Sequence, residues 1–233
     1  MLNYIYIILK SMNAFSPYLN CTLCPRECRV NRFSGQVGYC GQAAELRIAS
    51  IGPHFGEEPP ISGNKGSGTI FFSGCSTGCF FCQNYQISKE NLGQRLSPSQ
   101  LETEVLELIQ RGVHNINFVT PDHFWPHIKG VAEFLKQKGV TIPLLINGSG
   151  YHKKERVLEM AEVCDIFLPD MKFADSVLAK YCMGREDYPI RAMESITLMV
   201  EKKGFLDTWF DDKDETCPPA TKGVLVRHLV LPG

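Results

Sequence analysis

The sequence lacks any charge imbalance: 24 Lys and Arg stand against 25 Asp and Glu, a net charge of −1. That removes a global electrostatic case for nucleic acid or for an anionic membrane surface. Long hydrophobic runs are missing too, and no stretch approaches the ~20 apolar residues of a membrane-spanning helix. The apolar opening MLNYIYIIL has no charged side chain before Lys10, so the basic start of a secretory signal is absent, and Met12 is an equally good start. No repeat recurs at solenoid period. The one charge run is DDKDE at 211–215, inside a polar insert ending CPPA, and it reads as a solvated loop. By default these absences lead to the expectation of a cytoplasmic protein.

What is present is enough for a core. The 233 residues are 44% hydrophobic and 21% charged, which suits one domain of ordinary size with a modest appendage. Ten cysteines are unusual, and seven of them fall between Cys21 and Cys82. Clustered thiols in a reducing compartment point to metal or iron–sulfur chemistry more than to disulfides. Cys164, Cys182 and Cys217 read as core or loop thiols.

Residues 20–66 look irregular, with one short strand expected at Glu45–Ser50 and a Gly/Pro-rich run over 51–68. From about residue 67 the texture changes. The apolar runs TIFFSG (69–74), NINFVT (115–120), IPLLIN (142–147), DIFLPD (165–170) and GVLVRHLVL (223–231) read as five buried strands. Helical patterns lie between them. Ser97-Pro98-Ser99-Gln100 offers a capping box with Pro at the first helical position, followed by Leu101, Val105 and Leu108 on one face and a stop at Gly112. Val131, Phe134 and Leu135 form a second stripe, Val157, Leu158 and Ala161 a third, and 192–204 a further helix. Alternation of this kind predicts right-handed βαβ units and an α/β fold with a parallel sheet, curved into a partial barrel. The division expected is a Cys-rich segment at 1–66 and a core at 67–233. In such folds chemistry sits at the carboxyl ends of strands.

One motif stands at such an end. GCSTGCFFCQN places Cys75, Cys79 and Cys82 in a Cys-x3-Cys-x2-Cys loop directly after the first core strand. Three thiolates there can hold three irons of a 4Fe–4S cluster and leave the fourth iron open. A structural zinc site wants four closed ligands and has no use for that vacancy. Gly74 and Gly78 allow the tight turn.

This loop, with HFGEEPPISGNKGSGTIFFSG before it and VTPDHFWPHI, NGSGY, DIFLPDMKFAD and LVRHLVLPG after it, resembles the radical S-adenosylmethionine enzymes. More narrowly it resembles uncharacterised relatives of pyruvate formate-lyase activating enzyme. The resemblance implies a partial (βα) barrel that carries a 4Fe–4S cluster and S-adenosylmethionine. It implies an oxidoreductase that cleaves the sulfonium reductively and abstracts hydrogen from a substrate, with glycyl-radical activation of a partner protein as one outcome. It also implies a low-potential electron donor of the flavodoxin or ferredoxin type. Since the family barrel continues through another helix and strand, a chain ending at Gly233 is expected to be incomplete. The competing reading is a catalytically silent iron–sulfur or zinc protein acting in electron transfer or interaction.

The strand-end rule and the resemblance together nominate cofactor contacts: Phe81 by the adenine, and Thr120, Asn147, Asp170 and His228 on the same rim. Lys172 is expected to pair with Asp170 or with the cofactor carboxylate. Where many relatives carry Gly-Gly-Glu after the second strand, this chain reads VTPDH, so the backbone contacts of that motif do not carry over. His123 and His127 have i, i+4 spacing but no third ligand, which favours a helix-face or cofactor-shell role over metal. Finally, CTLCPRECRVNRFSGQVGYCG groups Cys21, Cys24, Cys28 and Cys40, a set that fits tetrahedral zinc or an auxiliary cluster.

Overall fold

A computed structural model describes residues 14–208 and 218–230; the apolar opening, Cys217 and the DDKDE run lie outside the described residues. One mixed sheet organises the chain. Its strands are β1 (Arg47–His54), β2 (Ser67–Phe72), β3 (Gln94–Arg95), β4 (Ile116–Val119), β5 (Leu144–Gly148), β6 (Ile166–Pro169) and β7 (Gly223–Val224). Their order is β3-β1-β2-β4-β5-β6-β7, and β2, β4, β5, β6 and β7 run parallel. β1 is antiparallel to both β2 and β3. The helices of eight or more residues are α1 (Pro98–Gln110), α2 (Trp125–Gln137), α3 (Lys154–Val163), α4 (Ser176–Met183) and α5 (Tyr188–Lys203). This is an α/β partial (βα) barrel, as the alternation predicts.

Local chemistry explains most boundaries. At α1 the capping box is complete: Ser97 Oγ accepts from Gln100 N, and Gln100 Oε1 accepts from Ser97 N at 2.8 Å. Caps of this kind are worth about 1 kcal/mol. α4 was not expected. Asp175 caps it by accepting from Leu178 N at 2.8 Å, and Gly184 ends it with a left-handed residue. Its exposed Val177, Leu178 and Tyr181 interleave with buried Ala179 and Cys182, which hides the stripe. On α3 the buried pair is Val157 and Met160, while Leu158 faces solvent. β1 runs four residues beyond its expected end, to His54, and β3 was unforeseen. The last strand is shorter than expected: ladder bonds from Leu225 N to Phe167 O (3.0 Å) and Arg227 N to Pro169 O (2.9 Å) continue to Arg227, and the chain then leaves the sheet.

The two faces of the sheet differ. Alternation sends Ile70, Phe72, Ile116, Phe118, Ile146 and Phe167 outward onto the helices, where they form the main core. The other face is polar toward its base: Ser67 Oγ donates to Asn115 Oδ1 (2.6 Å), and Asn115 Nδ2 donates to Ile61 O (2.8 Å). The segment between β1 and β2 therefore plugs the barrel from below, with fully buried Ile61 against Leu145, Ile166 and Leu168. The Cys-rich segment and the barrel share one sheet through β1. The carboxyl ends of the strands remain open.

Candidate functional site

The strand ends open into a cavity of about 580 Å³ lined by Cys75, Cys79, Cys82, Phe81, Thr120, Asn147, Asp170, Lys172 and His228, among others. The three loop cysteines and the six residues nominated for cofactor contact therefore border one space, and Cys21, Cys24, Cys28 and Cys40 lie outside it. β2 ends at Phe72, and Gly74 (φ +84°) and Gly78 (φ +64°) turn the loop back on itself. Thr77 donates from its backbone N–H to Cys75 Sγ (3.4 Å), and its hydroxyl stands 3.0 Å from the same sulfur. Ser88 Oγ donates to Cys82 Sγ at 3.3 Å. Burial raises the Cys79 thiol above its ordinary range, while the Lys172 ammonium pulls it back. The nine described cysteines are all free, so no disulfide consumes these thiols.

The donor set fits a cluster better than an ion. Among the described residues no three His, Cys, Asp or Glu side chains converge on one metal position. Thiolates that each bind a different corner of a cube stand farther apart than ligands sharing one ion.

The cavity floor was missed by sequence reasoning. Glu57, from the plugging segment, reaches up between the strands, and its Oε1 accepts from Asn147 Nδ2 (3.0 Å) and Asn117 Nδ2 (3.3 Å). Arg227 spans the floor, donating to Glu57 Oε2 (3.2 Å), Asp170 Oδ1 (3.0 Å) and Asn147 Oδ1 (2.6 Å). Lys172 pairs with the other Asp170 oxygen at 2.6 Å, one of its two expected partners. Burial raises the Glu57 carboxyl, with Arg227 opposing. The amide of Asn147 is thus engaged at both ends within the chain, as is the carboxylate of Asp170. The only signal for Glu57 was a Glu-Glu pair inside a Gly/Pro run. Arg227 was overlooked beside His228, which lies past the strand rather than in it and bonds to Met171 O through Nδ1. Thr120 is strained: a β-branched residue at φ +50°, its N–H held by Asn147 O at 2.8 Å.

The Radical SAM superfamily model matches residues 69–208. The chain belongs to the radical SAM superfamily. An uncharacterized protein of Methanocaldococcus jannaschii is 28% identical over 230 residues, covering 96% of this chain and 60% of that relative. The chain therefore spans less than two thirds of the length of the curated relative it matches.

Set beside this cavity, the amino-terminal cysteines present a different picture. Cys21, Cys24, Cys28 and Cys40 line a void of only about 10 Å³, together with Arg26, Arg32, Tyr39 and His123. Burial pushes the Cys24 thiol up to about 12 and the Cys40 thiol up to about 11. All four cysteines border that one small void, as the spacing led one to expect of a shared site, and among the described residues the same lack of a converged single-ion set holds for both cysteine groups. His123 and His127 do not border the large cavity. His123 bonds Ser73 O (2.7 Å) and His127 bonds Ala44 O (3.2 Å) through Nε2, and the Nδ1 atom of each is buried without a hydrogen-bond partner. His127 thus ties its helix to the Cys-rich segment, while His123 ties the start of that helix to Ser73, two residues before Cys75. Beside them the Asp122 carboxylate and His152 Nδ1 form a fully buried hydrogen bond. Burial pushes the Asp122 carboxyl up, the imidazole more than offsets this, and the net effect is a lowered pKa.

Proposed function

We propose that this radical SAM protein binds a 4Fe–4S cluster through Cys75, Cys79 and Cys82, and that the cavity beside them takes S-adenosylmethionine. One arrangement carries the reading: three thiols on a glycine-hinged loop, with no fourth cysteine among the described residues lining the site, opening onto a 580 Å³ cavity at the strand ends. When bound, these groups supply one-electron reductive cleavage of a sulfonium and hydrogen-atom abstraction from a substrate. The chain's own residues bind and orient. Phe81, braced edge-on by Phe173 at 5.8 Å, gives an aromatic wall for a purine. Glu57, Glu58 and Asp170 outnumber Arg227 and Lys172, and this balance favours a ligand of net positive charge, as the sulfonium cofactor is. Glu58 Oε2, buried and unpartnered, is an acceptor left for an amino or hydroxyl group. The electron comes from a low-potential donor of the flavodoxin or ferredoxin type. The finer reading, from the subfamily resemblance, is hydrogen abstraction from a glycyl residue of a partner protein.

The test is anaerobic reconstitution of the full chain, reduction, and addition of S-adenosylmethionine. Release of 5′-deoxyadenosine is expected, and Cys79→Ala should abolish it. An intact cluster whose EPR signal ignores S-adenosylmethionine, with no nucleoside released, would overturn the reading and leave a silent iron–sulfur protein.

A further inference from the structure

The three-cysteine loop does little to hold its own shape. Within residues 75–82 the described backbone makes one internal hydrogen bond, Cys82 N to Cys79 O at 3.3 Å. Its other carbonyls need partners from elsewhere, because a buried peptide oxygen left unpaired is costly. Arg26, in the CPRECR stretch of the amino-terminal segment, supplies them. Its Nε donates to Ser76 O (2.8 Å) and its Nη2 to Thr77 O (3.0 Å). The same Nη2 donates to Met183 O (2.9 Å) at the carboxyl end of α4, whose Cys182 O accepts from Phe80 N (3.0 Å) on the far side of the loop.

The guanidinium is itself held in place. It lies 3.5 Å from the centroid of the Tyr39 ring, and Tyr39 Oη reaches Thr77 O at 3.5 Å. The two turn glycines are pressed against the same segment. A Cβ at Gly78 would stand 2.6 Å from Tyr39 Oη, and one at Gly74 would collide with Cys40 O. The amino-terminal segment and the loop are therefore fitted to each other across backbone atoms.

We propose that Arg26 is a positioning residue for the three-cysteine loop, so that the amino-terminal segment as well as β2 sets where Cys75, Cys79 and Cys82 stand. This rests on the reading that the loop carries a cluster. A planar fork reaching two successive carbonyls is something Arg provides and Lys does not. Its permanent positive charge beside the loop also favours the more negative, reduced state of a bound cluster.

The test uses the full chain as parent, Arg26→Gln and Arg26→Lys. Three quantities are read: iron release to a chelator from the anaerobically reconstituted proteins, the cluster midpoint potential by EPR-monitored titration, and hydrogen exchange across residues 74–82 in cluster-free protein. Arg26→Gln should release iron roughly tenfold faster, the lower end of what outer-shell partners of a metal site contribute. It should also shift the midpoint to lower potential and speed exchange in the loop. Arg26→Lys, which keeps the charge, should stay near the parent midpoint but release iron faster than the parent. Release and exchange in Arg26→Gln equal to the parent overturn the proposal. So does a parent-like release rate in Arg26→Lys, which would reduce Arg26 to a charge. If the parent assembles no cluster, the cluster reading fails, and unequal exchange between parent and Arg26→Gln still decides the role of Arg26. Arg26→Lys serves for the same comparison should Arg26→Gln fail to fold.

Discussion

Two cysteine groups of similar density in the sequence end in opposite environments. Cys75, Cys79 and Cys82 border about 580 Å³ of open cavity, whereas Cys21, Cys24, Cys28 and Cys40 surround about 10 Å³. Spacing marks a thiol-rich turn in both cases. What differs is the position in the sheet: the first group hangs from the carboxyl end of a central parallel strand, where the barrel is open, and the second precedes β1 and packs against the back of the first group's loop. The first has room for a prosthetic group and a ligand. The second has no room for a ligand beyond a single ion, and its neighbours Arg26, Tyr39 and Arg32 contact the loop and His123 O.

The sharpest way to break this contrast is a metal count. After anaerobic reconstitution, Cys79→Ala should lose essentially all bound iron, while Cys28→Ser should keep the parent's complement. Equal losses in both would put a metal among the amino-terminal thiols and erase the distinction. Next in size is Asp122→Asn, beside His123 in the core. It removes the carboxylate from a fully buried hydrogen bond to His152, and losing a bond to a charged group costs about 1.5–3 kcal/mol. A denaturant midpoint unchanged from the parent would show that the pair carries no such load.

Acid should loosen the same side. His123 and His127 are held near about 4 by burial, with the Arg32 guanidinium adding to the effect and, for His123, Asp122 opposing it. In the unfolded chain they titrate near 6.5, so between these values the unfolded state binds more protons. Stability is therefore full above about pH 6.5 and falls as pH drops toward 4, by about 2 kcal/mol for each histidine at pH 5. Asp122, whose folded value is already low, stays ionised through that window and contributes nothing to the slope. Thermal unfolding at pH 7 and pH 5 checks this, and a flat profile contradicts it. The smallest effect belongs to the cavity side. Thr120→Gly relieves a strained φ of +50° and should stabilise the fold by about 1 kcal/mol, while weakening S-adenosylmethionine binding measured by equilibrium dialysis if the strain serves the ligand.

Much of this was legible beforehand. The strands after residue 67, the capping box at Ser97 and the three-cysteine loop are local patterns, and local patterns survive folding when the tertiary structure agrees with them. α4 was not legible, because half of its apolar residues face solvent. Glu57 and Arg227 were not legible either. They meet only because a loop between β1 and β2 threads the barrel and a late strand closes beside β6, bringing together groups 170 positions apart.

The sequence by itself determined the parallel α/β core, the thiol loop and its place at a strand end, since periodicity and short spacing are properties of neighbours along the chain. Only the tertiary structure decided which cysteines face open space, what floors the cavity and what steadies the loop. Those outcomes depend on how much volume remains once distant segments have packed, and on which carbonyls and carboxylates that packing leaves needing a partner.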